Sequence, residues 1–148
     1  MKRILIATDG SEAALEAIDF GLELAHEQGS EVTFVHVTAP IEWAVYPFGP
    51  LDAIPNEAPV VEEDDALRVA MAKAGASGVA AHPVSILGDP VIELPAYAER
   101  MDADLIVIGS RGLGGVTSAL LGSVSKGVLK HSKCPVLIVR AAPAHVPA

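Results

Sequence analysis

Leu105-Ile106-Val107-Ile108-Gly109-Ser110-Arg111-Gly112 changes character at its midpoint. Four branched apolar residues in a row fit a strand buried on both faces. The glycines after them let the backbone turn and come close to a ligand. Nine residues further on, Gly122-Ser123-Val124-Ser125 opens a stretch, Ser123–His131, that reads as a helix. A helix start presents unpaired N–H groups and the positive end of a dipole. The segment is therefore a candidate anion site, and on an α/β sheet the expected anion is a phosphate chain.

The same alternation runs through the rest of the chain. Arg3–Thr8 is a near-continuous apolar run, Glu31–Thr38 and Ala80–Leu87 are further strands, and Val136–Val139 is a last one. Between them, Ser11 is placed to cap a helix over Glu12–Gln28, which Gly29 ends. Ala14, Ile18, Gly21 and Ala25 share one face of it, with Leu15 and Leu22 beside them. Glu12, Glu16, Asp19, Glu23 and Glu27 recur on another, as a solvated stripe. Val61–Ser77 reads as a second helix with Glu62, Glu63, Asp64 and Asp65 in its first turns, where the dipole favours acids. Gly88-Asp89-Pro90 opens a third, in which Pro95 should cause a kink or a delayed start.

Strands alternating with helices predict an α/β fold: a doubly wound, five-stranded parallel sheet with helices on both faces. Ligands on such sheets bind beyond the carboxyl ends of the strands, where strand order reverses. Thr8-Asp9, Val37-Thr38 and Gly109 all sit at such ends. Residues 39–60 carry Pro40, Pro47, Pro50, Pro55 and Pro59, with Trp43, Tyr46 and Phe48 as apolar anchors. They read equally as a lid or as a loosely packed loop. Residues 1–140 form one domain, and 141–148 a flexible tail.

The 148 residues carry 10 basic and 19 acidic side chains, a net charge of −9. Nucleic acid is excluded as a partner, because binding it needs clustered positive charge. A nucleotide would meet a repulsive average field, so backbone donors and a divalent cation, magnesium or manganese, would have to offset it. No apolar run approaches the roughly 18 residues of a membrane span. Met1-Lys2-Arg3 leads straight into a strand, with no cleavage site after it, so a cytoplasmic protein is expected. The lone cysteine, Cys134, fits a reducing compartment and reads as a small buried residue. His36 is expected inside the sheet. His26, His82, His131 and His145 stand apart from any nucleophile or metal-ligand spacing, so no catalytic residue is assigned.

The glycine segment is neither a Walker loop nor a dinucleotide fingerprint. It does match Gly-x2-Gly-x9-Gly-Ser through Gly109, Gly112, Gly122 and Ser123. With Ile4-Leu5-Ile6-Ala7-Thr8-Asp9-Gly10-Ser11, Val35-His36-Val37, the run Asp104–Gly112, Leu121–Ser125 and Cys134–Val139, the chain resembles the ATP-binding subgroup of the universal stress proteins over about residues 2–140. That resemblance implies a Rossmann-like fold of the adenine nucleotide alpha hydrolase type and a regulatory or stress-protective role with ATP as ligand. It implies a nucleotide site of Ala7, Thr8, Asp9, Val37, Ile108, Gly109, Arg111, Gly112, Gly122, Ser123, Val124 and Ser125. Asp9 would meet the ribose or a metal, the Val37 backbone the adenine edge, and residues 109–125 the phosphates. It also implies a homodimer through the strand Val136, Leu137, Ile138 and Val139. Taken singly, Asp9 fits a turn residue, Ser123 a helix cap and Val37 a core position. A slow ATPase or phosphotransferase stays open. So does an interaction module that binds AMP, cyclic AMP or no nucleotide.

Overall fold

A computed structural model of the chain describes residues 1–40, 61–110 and 121–140. The chain alternates β1 (Arg3–Ala7), α1 (Glu12–Gln28), β2 (Glu31–Thr38), a single 3-10 turn (Val61–Glu63), α2 (Asp65–Ser77), β3 (Ala81–Leu87), α3 (Pro90–Arg100), β4 (Leu105–Gly109), α4 (Ser123–His131) and β5 (Val136–Val139). All strands are parallel, in the order β3-β2-β1-β4-β5. The chain winds outward from β1 to β3, returns to the middle, and winds the other way through β4 and β5. The expected doubly wound sheet is present, and its strand order reverses between β1 and β4.

Strand alternation splits the core into two layers. Ile4, Ile6, Val32, Phe34 and Val107 face α1 and α2, where Ile18, Leu22, Leu67 and Ala70 meet them. Leu5, Ala7, Val35, Ile106 and Ile108 face α3 and α4, against Leu94, Ala98 and Val128. Ile4, Leu5, Ile6 and Phe34 are wholly buried, each worth about 1.5–3 kcal/mol of transfer free energy. The helix ends are built as their sequences suggest. Ser11 accepts the Ala14 N–H, and Gly29 closes α1 in the left-handed region at φ 66°. The face of Ala14, Ile18, Gly21, Leu22 and Ala25 is buried, and the acidic stripe is exposed.

Three expectations need correction. The second helix does not start at Val61: a 3-10 turn precedes it, and Asp64, in extended conformation, caps α2 by accepting the Leu67 N–H. Pro95 does not delay the third helix, which runs unbroken from Pro90. Leu94 and Ala98, buried on either side of it, hold the segment helical despite one missing backbone bond. Cys134 is half-buried rather than buried. The proline-rich loop apart from Ala39 and Pro40, the residues Arg111 and Gly112, and the tail 141–148 lie outside the described residues.

At the amino edge of the sheet, Asp104 closes the fold. Its Oδ2 accepts the Arg3 N–H at 2.9 Å and the Lys2 N–H at 2.7 Å. These two backbone bonds, Arg3 first, hold its carboxyl below the usual carboxylate range.

Candidate functional site

The carboxyl ends of β1 and β4 lie side by side, in register through Ile6↔Val107. β1 leads into Thr8, which is buried, and half-buried Asp9. Asp9 Oδ1 accepts the Ser11 N–H at 2.9 Å, and Gly10 makes the turn at φ 81°. Asp9 thus combines the turn role with a second carboxylate oxygen that has no recorded partner among the described residues.

β4 ends on Gly109, whose role the glycine pattern alone does not reveal. A Cβ there would sit 2.7 Å from the Ala13 carbonyl oxygen and 2.8 Å from its carbon. The strand end presses on the first turn of α1, and only hydrogen fits between them. Ile108 is buried beside it.

The chain returns to this spot at α4. The Gly122 N–H donates to the Ser110 carbonyl at 2.7 Å. The Ser125 hydroxyl is buried and donates to the carbonyls of Gly109 at 2.9 Å and Ser110 at 3.0 Å. These contacts fasten the N-terminus of α4 to the end of β4. They commit the Ser125 hydroxyl and the Gly122 N–H to the fold. What stays open is the backbone beyond them. The first bond within α4 runs from the Lys126 N–H to the Gly122 carbonyl, and Gly122 supplies no side-chain cap. The N–H groups of Ser123, Val124 and Ser125 thus have no acceptor among the described residues. Ser123 is exposed.

The third component comes from β2. Even-numbered residues of this strand bond toward β3: the Val32 N–H donates to Ala80, and Thr38 accepts from the Gly88 N–H. Odd-numbered residues bond toward β1, where Val35 accepts from the Thr8 N–H at 3.0 Å. The β1–β2 ladder ends there, at Ala7↔Val35. Val37 therefore turns its N–H and C=O toward the space past the end of β1, with no backbone partner among the described residues. A planar ring with a donor and an acceptor on one edge matches such a strand segment.

The local charge differs from the average. All 19 carboxylate side chains lie at or before Asp104, while Arg111, Lys126, Lys130, Lys133 and Arg140, five of the 10 basic residues, lie after it. Lys126 and Lys130 are exposed on α4 itself. An anion approaching the start of α4 meets the positive end of the helix dipole, with Lys126 exposed three residues into the helix.

Two features escaped the sequence. His36 is not simply packed in the sheet: its Nδ1 lies 2.7 Å from Asp64 Oδ2. Asp64 is a nearly buried carboxylate, and the four consecutive acids 62–65 gave no sign of which one would be enclosed. Among the described residues, no group of three or more His, Cys, Asp or Glu side chains gathers as a metal site, and no helix is long and apolar enough to cross a membrane.

The fold and this edge define a doubly wound α/β domain that presents, among the described residues, an uncapped helix start, a carboxylate and an unpaired strand segment at its switch point. The chain belongs to the universal stress protein family, whose family model matches residues 1–140. A universal stress protein of Bacillus subtilis is 38% identical over 149 residues, covering 93% of this chain and 98% of that protein. One from Methanocaldococcus jannaschii is 37% identical over 144 residues, covering 94% and 82%. Among solved structures, a universal stress protein in complex with cAMP superposes with a TM-score of 0.68 at 29% identity, covering 94% of this chain and 96% of that one.

Proposed function

We propose that this protein binds adenine nucleotides, ATP among them, across the β1–β4 switch point and acts as a nucleotide-dependent regulatory or stress-protective protein. The observation that carries the reading is the N-terminus of α4, uncapped among the described residues and fastened by Ser125 and Gly122 to the strand end beside Asp9. The free N–H groups of Ser123, Val124 and Ser125 would hold phosphate oxygens, with the Ser123 hydroxyl beside them. Asp9 would take ribose hydroxyls, and the Val37 backbone the adenine edge. Charge-assisted bonds of this kind contribute about 1.5–3 kcal/mol each, so a few of them reach micromolar affinity, roughly −8 kcal/mol.

A magnesium or manganese ion would arrive with the phosphates, because among the described residues no three-ligand group stands ready to hold one. The relative solved with cAMP favours a second reading, in which a monophosphate or cyclic nucleotide is the resident ligand. Mass spectrometry of gently purified protein separates the two by the nucleotide that co-purifies. Calorimetry with ATP, AMP and cAMP then ranks them, and binding of none of the three refutes the reading. Single-turnover incubation with magnesium tests the enzymatic alternative: a sensor returns intact ATP.

We further propose pairing of two copies through β5. Val136–Val139 is one of the sheet's two edge strands, hydrogen-bonded only to β4 among the described residues and half-buried along its length. An open apolar edge is an invitation to pair. Light scattering should report a dimer. The single cysteine is consistent with a cytoplasmic location.

A further inference from the structure

We infer that the His36–Asp64 contact is a positioning clamp for the base-reading end of β2, an inference that rests on the nucleotide site proposed above. Beyond Val35, β2 has lost its neighbour on the β1 side. On its other side stands β3, the outermost strand of the sheet, which holds Thr38 through the Gly88 N–H at 2.9 Å. Among the described residues, the part of the strand that carries Val37 is therefore held in the plane of the sheet from one side.

Out of the plane it is held by His36. This side chain shares a sheet face with Val32 and Phe34, which pack toward α2. The ring reaches Asp64 across 28 residues of sequence. Both oxygens of that carboxylate are engaged: Oδ1 accepts the Leu67 N–H at 3.1 Å and caps α2, and Oδ2 meets His36 Nδ1 at 2.7 Å. The Asp64 N–H in turn donates to the Val61 carbonyl. Asp64 is thus fixed to a helix start, and His36 transmits that fixity to the residue before Val37.

Other polar groups on this face do not share the task. The hydroxyls of Thr38 and Ser85 are buried without hydrogen-bond partners, which leaves His36–Asp64 as the polar tether there among the described residues. A carboxylate buried this far is costly unless paired, so the contact resists opening. His36 touches no expected ligand atom. It acts through the backbone of its neighbour.

The test compares ATP with inorganic tripolyphosphate, which shares the phosphate site but has no base. In the full-length chain, His36→Leu should weaken ATP binding about tenfold, the scale of one lost hydrogen bond to a charged group. Tripolyphosphate affinity should change less than about twofold. His36→Asn puts an amide N–H near the place of Nδ1 and should restore ATP binding. ATP affinity equal to wild type in His36→Leu, or an equal loss for both ligands, overturns the clamp. Should His36→Leu not fold, His36→Gln, whose amide projects past Asp64, is held to the same two outcomes. Failure of the wild-type chain to bind ATP would defeat the nucleotide reading instead. The clamp is then decided by amide exchange without ligand. Faster exchange at Gly88, with Thr8 unchanged as the control, supports it, and unchanged Gly88 overturns it.

Discussion

Replacing Gly109 with alanine separates two reasons for a glycine at the end of β4. If the residue is glycine so that a loop can wrap phosphate, Gly109→Ala should leave the ligand-free protein as stable as wild type and weaken only nucleotide binding. The structure gives the other reason. The new methyl group would lie 2.7 Å from the Ala13 carbonyl oxygen and 2.8 Å from its carbon, both backbone atoms that cannot rotate away. Relief requires β4 and the first turn of α1 to separate by several tenths of an ångström. Overpacking of this kind costs about 1–3 kcal/mol. At about 2–4 °C per kcal/mol for a domain of this size, the melting temperature should fall by roughly 4–8 °C for a cost near 2 kcal/mol. Gly75→Ala serves as the internal control. Gly75 lies within α2, and a Cβ there meets nothing within 4 Å. That substitution should stabilise by about 0.5–1 kcal/mol, as glycine-to-alanine changes in helices do. Urea unfolding followed by circular dichroism, with nucleotide removed, measures both. A Gly109→Ala protein as stable as wild type would refute the packing explanation.

Three further outcomes follow from particular contacts. Ser125→Ala removes the hydroxyl that bonds two carbonyls and should destabilise by about 1–3 kcal/mol; because it also frees the start of α4, ATP affinity should fall with it, which calorimetry checks. Asp104→Asn tests the amino edge. The folded carboxyl is held below its ordinary value by the Arg3 and Lys2 N–H groups, so its contribution is complete above the unfolded value, near pH 4, and is lost as the pH falls through the lower folded value. Urea titrations should show wild type more stable than Asp104→Asn at pH 7 and the gap closing in strong acid; a gap independent of pH would show that the bonds do not depend on charge. ATP affinity should rise with magnesium or manganese, because the chain's net charge of −9 disfavours a naked triphosphate, and a chelator that leaves affinity unchanged would contradict this.

Local signals in the sequence were dependable where local chemistry decides the outcome. Continuous apolar runs are strands because both faces of the sheet are covered, and Ile4, Leu5 and Ile6 are indeed wholly buried. Ser11 and Gly29 cap α1 because a hydroxyl and a left-handed glycine act within four residues of themselves. The failures are all non-local. Any of Glu62, Glu63, Asp64 and Asp65 could precede a helix. Asp64 does so, with His36 of β2 engaging its other oxygen, and that partner lies 28 residues earlier. The Ser125 hydroxyl faces the carbonyls of residues 15 and 16 positions away, a contact that no local signal announces. Pro95 carries a strong local argument for a break, but Leu94 and Ala98 hold the helix against the sheet. In each case a contact across the fold outweighs a preference of about 1–3 kcal/mol.

The net charge posed the sharpest physical objection to a nucleotide ligand, and its distribution answers it. Long-range repulsion between exposed charges is screened beyond about 8 Å at physiological salt, so an anion at the start of α4 responds mainly to what lies within that distance. The helix there contributes N–H groups unpaired among the described residues and the positive end of its dipole. Lys126, exposed on the same helix three residues after its start, adds a cation. The acidic stripe of α1 projects from the opposite layer of the fold, the one that faces α2. Asp9 is an exception, an acid at the end of β1 beside the switch point. Its Oδ1 is already held by the Ser11 N–H, so it is fixed in place and offers an acceptor, not a donor. A phosphate would be repelled by it, whereas a ribose hydroxyl or a cation would be drawn to it. Under the proposed reading the charge pattern would orient the ligand as well as admit it, with phosphates toward α4, sugar toward β1 and the base along β2.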